Sequence, residues 1–150
     1  MRLSLIGPVY PYRGGIAHYT STLALKLVGA GHQVQVISYK RQYPRWLYPG
    51  VTDKDPSQKP VMVEAQYPLD PFSLSTWKDT VACIKEYRPQ AVIIQWWVTF
   101  WMPSYTYIVN QLRKSGVQVI YLIHNVLPHE PRPWDTLLAR LALRGGNRFI

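Results

Sequence analysis

Cysteine is nearly missing from this chain. Its 150 residues contain one, Cys83, so no internal disulfide can staple the fold and no cysteine-based zinc site can form. The setting Val81-Ala82-Cys83-Ile84 predicts a small buried apolar role, and the usage fits a reducing compartment. Acidic residues are also scarce: 8 Asp and Glu stand against 17 Lys and Arg, a net charge of +9. No acidic pair has the spacing of a metal site or of a two-carboxylate glycosidase, and no G-x-S-x-G elbow occurs. Neither a metal nor a cofactor is expected. A clean membrane span is lacking too. The nearest thing to one, 91–109, carries no charge but is broken by Gln95, Thr99, Pro103, Ser104 and Thr106, and reads as a strand followed by an amphipathic helix. Arg2 precedes only a short apolar run, which is not a signal-peptide pattern; a cytoplasmic location is expected. No internal repeat or low-complexity segment is present.

What the chain does have is a globular composition, with 47% hydrophobic and 17% charged residues, and a length that suits one domain. Leu3-Ser4-Leu5-Ile6-Gly7 reads as a buried strand. A proline-rich loop follows through Gly14-Gly15, and Ile16-Ala17-His18-Tyr19 opens a helix over 17–28 with Ile16, Tyr19, Leu23, Ala24, Leu27 and Val28 on its apolar face. Strands are predicted at 33–38, 61–65, 91–95 and 117–123, and helices at 74–87, 104–114 and 134–143. The last two helices should turn Tyr105, Ile108, Val109 and Leu112, and Leu137, Leu138 and Leu141, inward. Residues 147–150 look like the first half of another strand, so the chain reads as the front of something longer. A long loop over 39–60 carries Arg45, Trp46 and Tyr48 among other basic and aromatic residues. It suits either a membrane interface or folding back of Trp46 and Leu47 on the domain. The alternation predicts a Rossmann-like, doubly wound, mostly parallel α/β sheet.

In such sheets ligands sit beyond the carboxyl ends of the strands. That rule selects the loops 8–15, 96–103 and 124–133. In the first, Gly14 and Gly15 lead into a helix N-terminus, whose unpaired N–H groups and dipole favour an anion. The glycine spacing matches neither a dinucleotide fingerprint nor a P-loop. Arg13 and His18 flank this candidate phosphate site. Trp96-Trp97 and Phe100-Trp101 read mainly as core and domain contact. After the fifth predicted strand come His124-Asn125 and then His129-Glu130 beside Arg132. A neutral imidazole there can bind a sugar hydroxyl or move a proton near pH 7. His32, at the opposite end of the sheet, is expected to be structural.

Leu5-Ile6-Gly7, Tyr12-Arg13-Gly14-Gly15-Ile16-Ala17, Gly31-His32-Gln33-Val34-Gln35-Val36-Ile37 and the segment Tyr121-Leu122-Ile123-His124-Asn125-Val126-Leu127-Pro128-His129-Glu130 together resemble the start of the retaining glycosyltransferases of family four. That resemblance implies the acceptor-side half of a GT-B enzyme, two Rossmann-like domains facing across a cleft. It implies sugar transfer from a nucleotide sugar to a sugar or lipid-linked acceptor, with retention and without an essential metal. His124 would be the catalytic residue at the reaction centre. Arg13, Gly14, Gly15, His18, Asn125, His129 and Glu130 would lie around the donor phosphates or acceptor. The family's nucleotide-sugar domain is not represented, so the chain alone should transfer no sugar without that domain or a partner chain. The other open reading is a non-catalytic Rossmann-like module for an anionic partner or the inner face of a membrane; nucleic acid has only net charge in its favour.

Overall fold

The computed structural model describes residues 1–43, 52–128 and 130–150. Six strands form one sheet, every neighbouring pair of which is parallel. They are β1 (Arg2–Ile6), β2 (Gln33–Tyr39), β3 (Gln66–Leu69), β4 (Ala91–Trp96), β5 (Gln118–Ile123) and β6 (Arg148–Phe149), in the order β3-β2-β1-β4-β5-β6. This is the Rossmann order, with its topological switch between β1 and β4. Four helices connect the strands: α1 (Gly15–Gly29), α2 (Leu74–Tyr87), α3 (Met102–Arg113) and α4 (Asp135–Leu143). A single 3-10 turn, Thr99–Trp101, leads into α3.

Strand alternation sorts the core into two layers. Leu5, Val36, Ile93 and Leu122 face α1 and pack with Ala24. Ile6, Ile37, Val92, Ile94, Val119 and Tyr121 face the other way, toward Val81 and Ile84 of α2, Ile108 and Leu112 of α3, and Ala139 of α4. Strand β4 is buried along its whole length, as a central parallel strand covered on both faces must be. The doubly wound expectation therefore holds, and the sheet is parallel throughout.

Helix α2 occupies 74–87 as predicted, and Arg88 closes it in the left-handed conformation at φ 53°, with Pro89 next. Other expectations need correction. Residues 61–65 are not a strand; β3 begins at Gln66. Val63 and Ala65 alternate because they cover the α1-side core while running toward the sheet, not because they pair with it. Pro68 is tolerated in β3 because that strand lies at the edge. In α1, Ile16, Leu23, Ala24 and Leu27 pack inward as predicted and Ala17, Thr20 and Ser21 are buried beside them, whereas Tyr19 and Val28 are exposed. Small residues let α1 lie close to the sheet. In α4, Ala139, Ala142 and the start residue Asp135 are buried, and Leu137 and Leu141 face outward. Cys83 is half-buried and hydrogen-bonded rather than apolar in role: its thiol donates to Gln66 Oε1 at 3.0 Å, and Gln35 Nε2 approaches its sulfur at 3.3 Å.

Candidate functional site

The loop after β1 is not free. Tyr12 bridges Lys54 in antiparallel fashion, the Arg13 N–H donates to the Asp53 carbonyl at 2.9 Å, and the Asp55 N–H donates to the Pro11 carbonyl at 2.8 Å. Lys54 Nζ lies 3.9 Å from the centre of the Tyr12 ring. Part of the predicted 39–60 loop thus buttresses the glycine loop. Trp46 and Leu47 lie outside the described residues. Tyr12 is buried, and its hydroxyl donates to the Tyr39 carbonyl at 2.6 Å. Tyr39 in turn shares a 2.6 Å bond with the Tyr105 hydroxyl. Burial pushes all three phenols well above their ordinary pKa, so they stay protonated and act as hydrogen-bonding struts.

Above this floor α1 starts at Gly15. Gly14 stands just before it at φ 111°, a conformation that favours glycine. No side chain caps the helix and its first turn holds no acidic residue. A cleft of ≈ 200 Å³ lies against it, lined in part by Arg13, Gly14, Gly15, Gln42 and Trp97. Arg13, Gly14 and Gly15 are thus together, as predicted, at an uncapped helix start. Asp53 also lines this cleft. His18 is exposed one turn along α1 and lines a separate small space with Tyr10, Tyr12 and Asp55, apart from the Gly14–Gly15 cleft.

His124 follows β5 and lies on the α1 side of the sheet. Its backbone N–H extends the ladder to the Trp96 carbonyl at 2.9 Å. Its ring meets Tyr19 of α1 edge-on, with centroids 5.3 Å apart and planes at 86°. Its Nε2 is 2.5 Å from Gln95 Oε1. Burial lowers the pKa of the ring, so the neutral imidazole is the form present near pH 7. Tyr19, read from sequence as a core residue, instead supports this histidine from outside.

Asn125 is half-buried next to His124. Glu130 is exposed and lines a larger cleft of ≈ 510 Å³ with Val98, Phe100, Arg132, Trp134 and Leu138, among others. Asp135, at the first turn of α4, fixes this cleft. Its carboxylate accepts from the Thr99 hydroxyl and, at 2.7 Å, from the Arg132 N–H, joining the loop after β4 to the loop after β5. Trp96, Trp97 and Trp101 are buried, as read; Phe100 is the half-buried member facing the cleft. His129 lies outside the described residues. His32 pairs with the Met1 amino group at 3.3 Å at the far end of the sheet. Among the described residues no group of three or more His, Cys, Asp or Glu could hold a metal ion, and no helix is long and apolar enough to cross a membrane.

Sequence reasoning passed over Gln95 and Asp135. The available sign for Gln95 was a glutamine inside an otherwise apolar, fully buried strand. For Asp135 it was an acid at a helix start, a position that favours negative charge.

The chain is thus a Rossmann-like α/β domain with a glycine-bearing helix start beyond β1 and a histidine beyond β5. Residues 14–150 match the glycosyl transferase 4-like domain family, and the chain belongs to that family. A search of curated proteins gives no match. Among solved structures, the chain is similar to an alpha-glucosyltransferase in complex with UDP and a mismatched 13-mer DNA, at TM-score 0.56 and 9% identity, covering 99% of this chain and 36% of that one. It is also similar to a cobalamin-binding protein from Desulfitobacterium hafniense DCB-2, at TM-score 0.50 and 13% identity, covering 99% of this chain and 52% of that one. At these identities the likeness is one of fold. The chain spans about half of one neighbour and about a third of the other.

Proposed function

We propose that this chain is the acceptor-side half of a GT-B glycosyltransferase that moves a sugar from a nucleotide donor to an acceptor, with retention and without an essential metal. The observation that carries the reading is the contact between His124 and Tyr19. It brings the histidine beyond β5 against α1, whose uncapped start is Gly14–Gly15. Family membership supports the transferase class.

In this reading the α1 N-terminus and Arg13 face the departing diphosphate. Backbone donors and a helix dipole aimed at charge that grows in the transition state are suited to that step. His124, neutral, offers a lone pair to a sugar hydroxyl near the reacting carbon. The cleft of Phe100, Trp134 and Leu138 receives the acceptor, its apolar wall suiting a sugar face or lipid-linked group and Arg132 suiting an anionic part. The donor nucleotide would rest chiefly on a second domain or partner chain. The protein acts in the cytoplasm, peripherally on the inner membrane face when its acceptor is lipid-linked.

The test is complementation. Residues 1–150 alone should consume no nucleotide sugar, and adding a nucleotide-sugar domain in cis or in trans should restore transfer. Turnover by the isolated chain would contradict the division of labour. Saturable binding to anionic vesicles, with no transfer in any combination, would favour a non-catalytic module.

A further inference from the structure

Gln95 is fully buried in β4, among Ala91, Val92, Ile93 and Ile94. Its Oε1 is 2.5 Å from His124 Nε2, and among the described residues its Nε2 has no hydrogen-bond partner. A buried amide half of whose capacity goes unused is an expensive core residue, and such groups call for an explanation. Packing alone would favour an apolar side chain there.

We infer that Gln95 is a positioning residue for His124: its carbonyl oxygen holds the proton on Nε2 and leaves Nδ1 as the bare nitrogen that meets the ligand. A glutamine carbonyl can only accept, so Nε2 must carry the proton in this geometry. A neutral ring has one N–H, and Nδ1 then holds a lone pair. Among the described residues Nδ1 has no hydrogen-bond partner. A lone pair accepts from a hydroxyl and cannot donate to a phosphate oxygen. The group that meets His124 is therefore a donor, in the proposed function a sugar hydroxyl, and the diphosphate goes to the helix start. Gly7 leaves room for the glutamine: a Cβ on Gly7 would lie 2.5 Å from Gln95 Cγ. The identity of the ligand rests on the proposed function; the placement of the proton does not.

The test is long-range proton–nitrogen correlation NMR on the 15N-labelled chain, which reports which ring nitrogen of His124 bears the proton and how fast that proton exchanges. The expected result is a proton on Nε2, protected from exchange, and an unprotonated Nδ1. Gln95→Glu keeps an acceptor oxygen and should keep the protected Nε2 proton. Gln95→Leu should lose the protection, with exchange about tenfold faster, the scale of one net hydrogen bond. A proton on Nδ1 in the unaltered chain overturns the inference, as does unchanged protection in a folded Gln95→Leu variant. If that variant does not fold, the unaltered chain and Gln95→Glu still decide. No sugar transfer enters this readout, so a protected Nε2 proton combined with no transfer on adding a nucleotide-sugar domain would refute the proposed function and leave the inference standing.

Discussion

Gly7 leaves the space that the Gln95 side chain occupies. An added Cβ would stand 2.5 Å from Gln95 Cγ, a mid-chain atom of a fully buried residue, and 3.0 Å from Thr20 Cγ2. The glycine at the end of β1 thus acts on the neighbouring strand's glutamine, and through it on His124. Gly7→Ala is expected to destabilise the chain by about 1–3 kcal/mol, the usual cost of overpacking. Combining it with Gln95→Ala should return part of that loss, and a double-mutant cycle in denaturant checks the coupling. Strict additivity would show that the two residues do not share this space.

Asp135 is buried at the start of α4 and receives the Thr99 hydroxyl and the Arg132 N–H. Asp135→Ala leaves the buried Thr99 hydroxyl and the part-buried Arg132 N–H unpaired. The expected loss is about 1–3 kcal/mol, with Asp135→Asn losing less because its carbonyl still accepts. Chemical unfolding of the three proteins checks the order; an Asp135→Ala variant as stable as the parent contradicts it.

The Tyr39 and Tyr105 hydroxyls share a 2.6 Å bond inside the core, and Tyr105 also reaches the Gln95 carbonyl at 3.3 Å. Tyr105→Phe removes no ring packing but strips Tyr39 of its hydroxyl partner. A loss of about 1–2 kcal/mol is expected, measurable as a lower denaturation midpoint at unchanged slope.

His124 gives the stability a pH dependence. Burial puts its pKa below the usual 6.5 in the folded state. Between the folded and unfolded values the unfolded chain binds more protons, so stability rises with pH across that window and falls as pH drops below about 6.5. Unfolding free energies from about pH 7.5 to 5 should show this slope, and His124→Gln should flatten it. An equal slope in the variant would assign the dependence elsewhere.

The sequence revealed the layering more fully than it revealed the site. Continuous apolar runs at 91–94 and 119–123 marked the central strands, and Pro89 marked the end of α2, because burial on both faces and a missing N–H act locally. The α1 face was right at Ile16, Leu23, Ala24 and Leu27 but wrong at Tyr19 and Val28, and in α4 Leu137 and Leu141 were misread, since spacing finds large apolar residues whereas close helix–sheet contact also selects Ala17, Ala139 and Ala142. The start of β3 was missed because alternation reports one-sided burial, which residues 61–65 have without pairing. The placement of His124 beyond β5 and of Gly14 and Gly15 at the start of α1 was legible from strand-end position and glycine content. Gln95, Tyr19 and Asp135 were not, because their roles depend on neighbours 29, 105 and 36 residues away in sequence.

The most direct test of the account is sugar transfer by the longest native polypeptide that carries residues 1–150, assayed against a panel of nucleotide sugars, with and without His124→Ala. The expected result is release of nucleoside diphosphate coupled to glycosylation of an acceptor, lost in a folded His124→Ala protein by a factor of about a hundred or more. Transfer that survives His124→Ala undiminished, or no transfer from any donor, would contradict it.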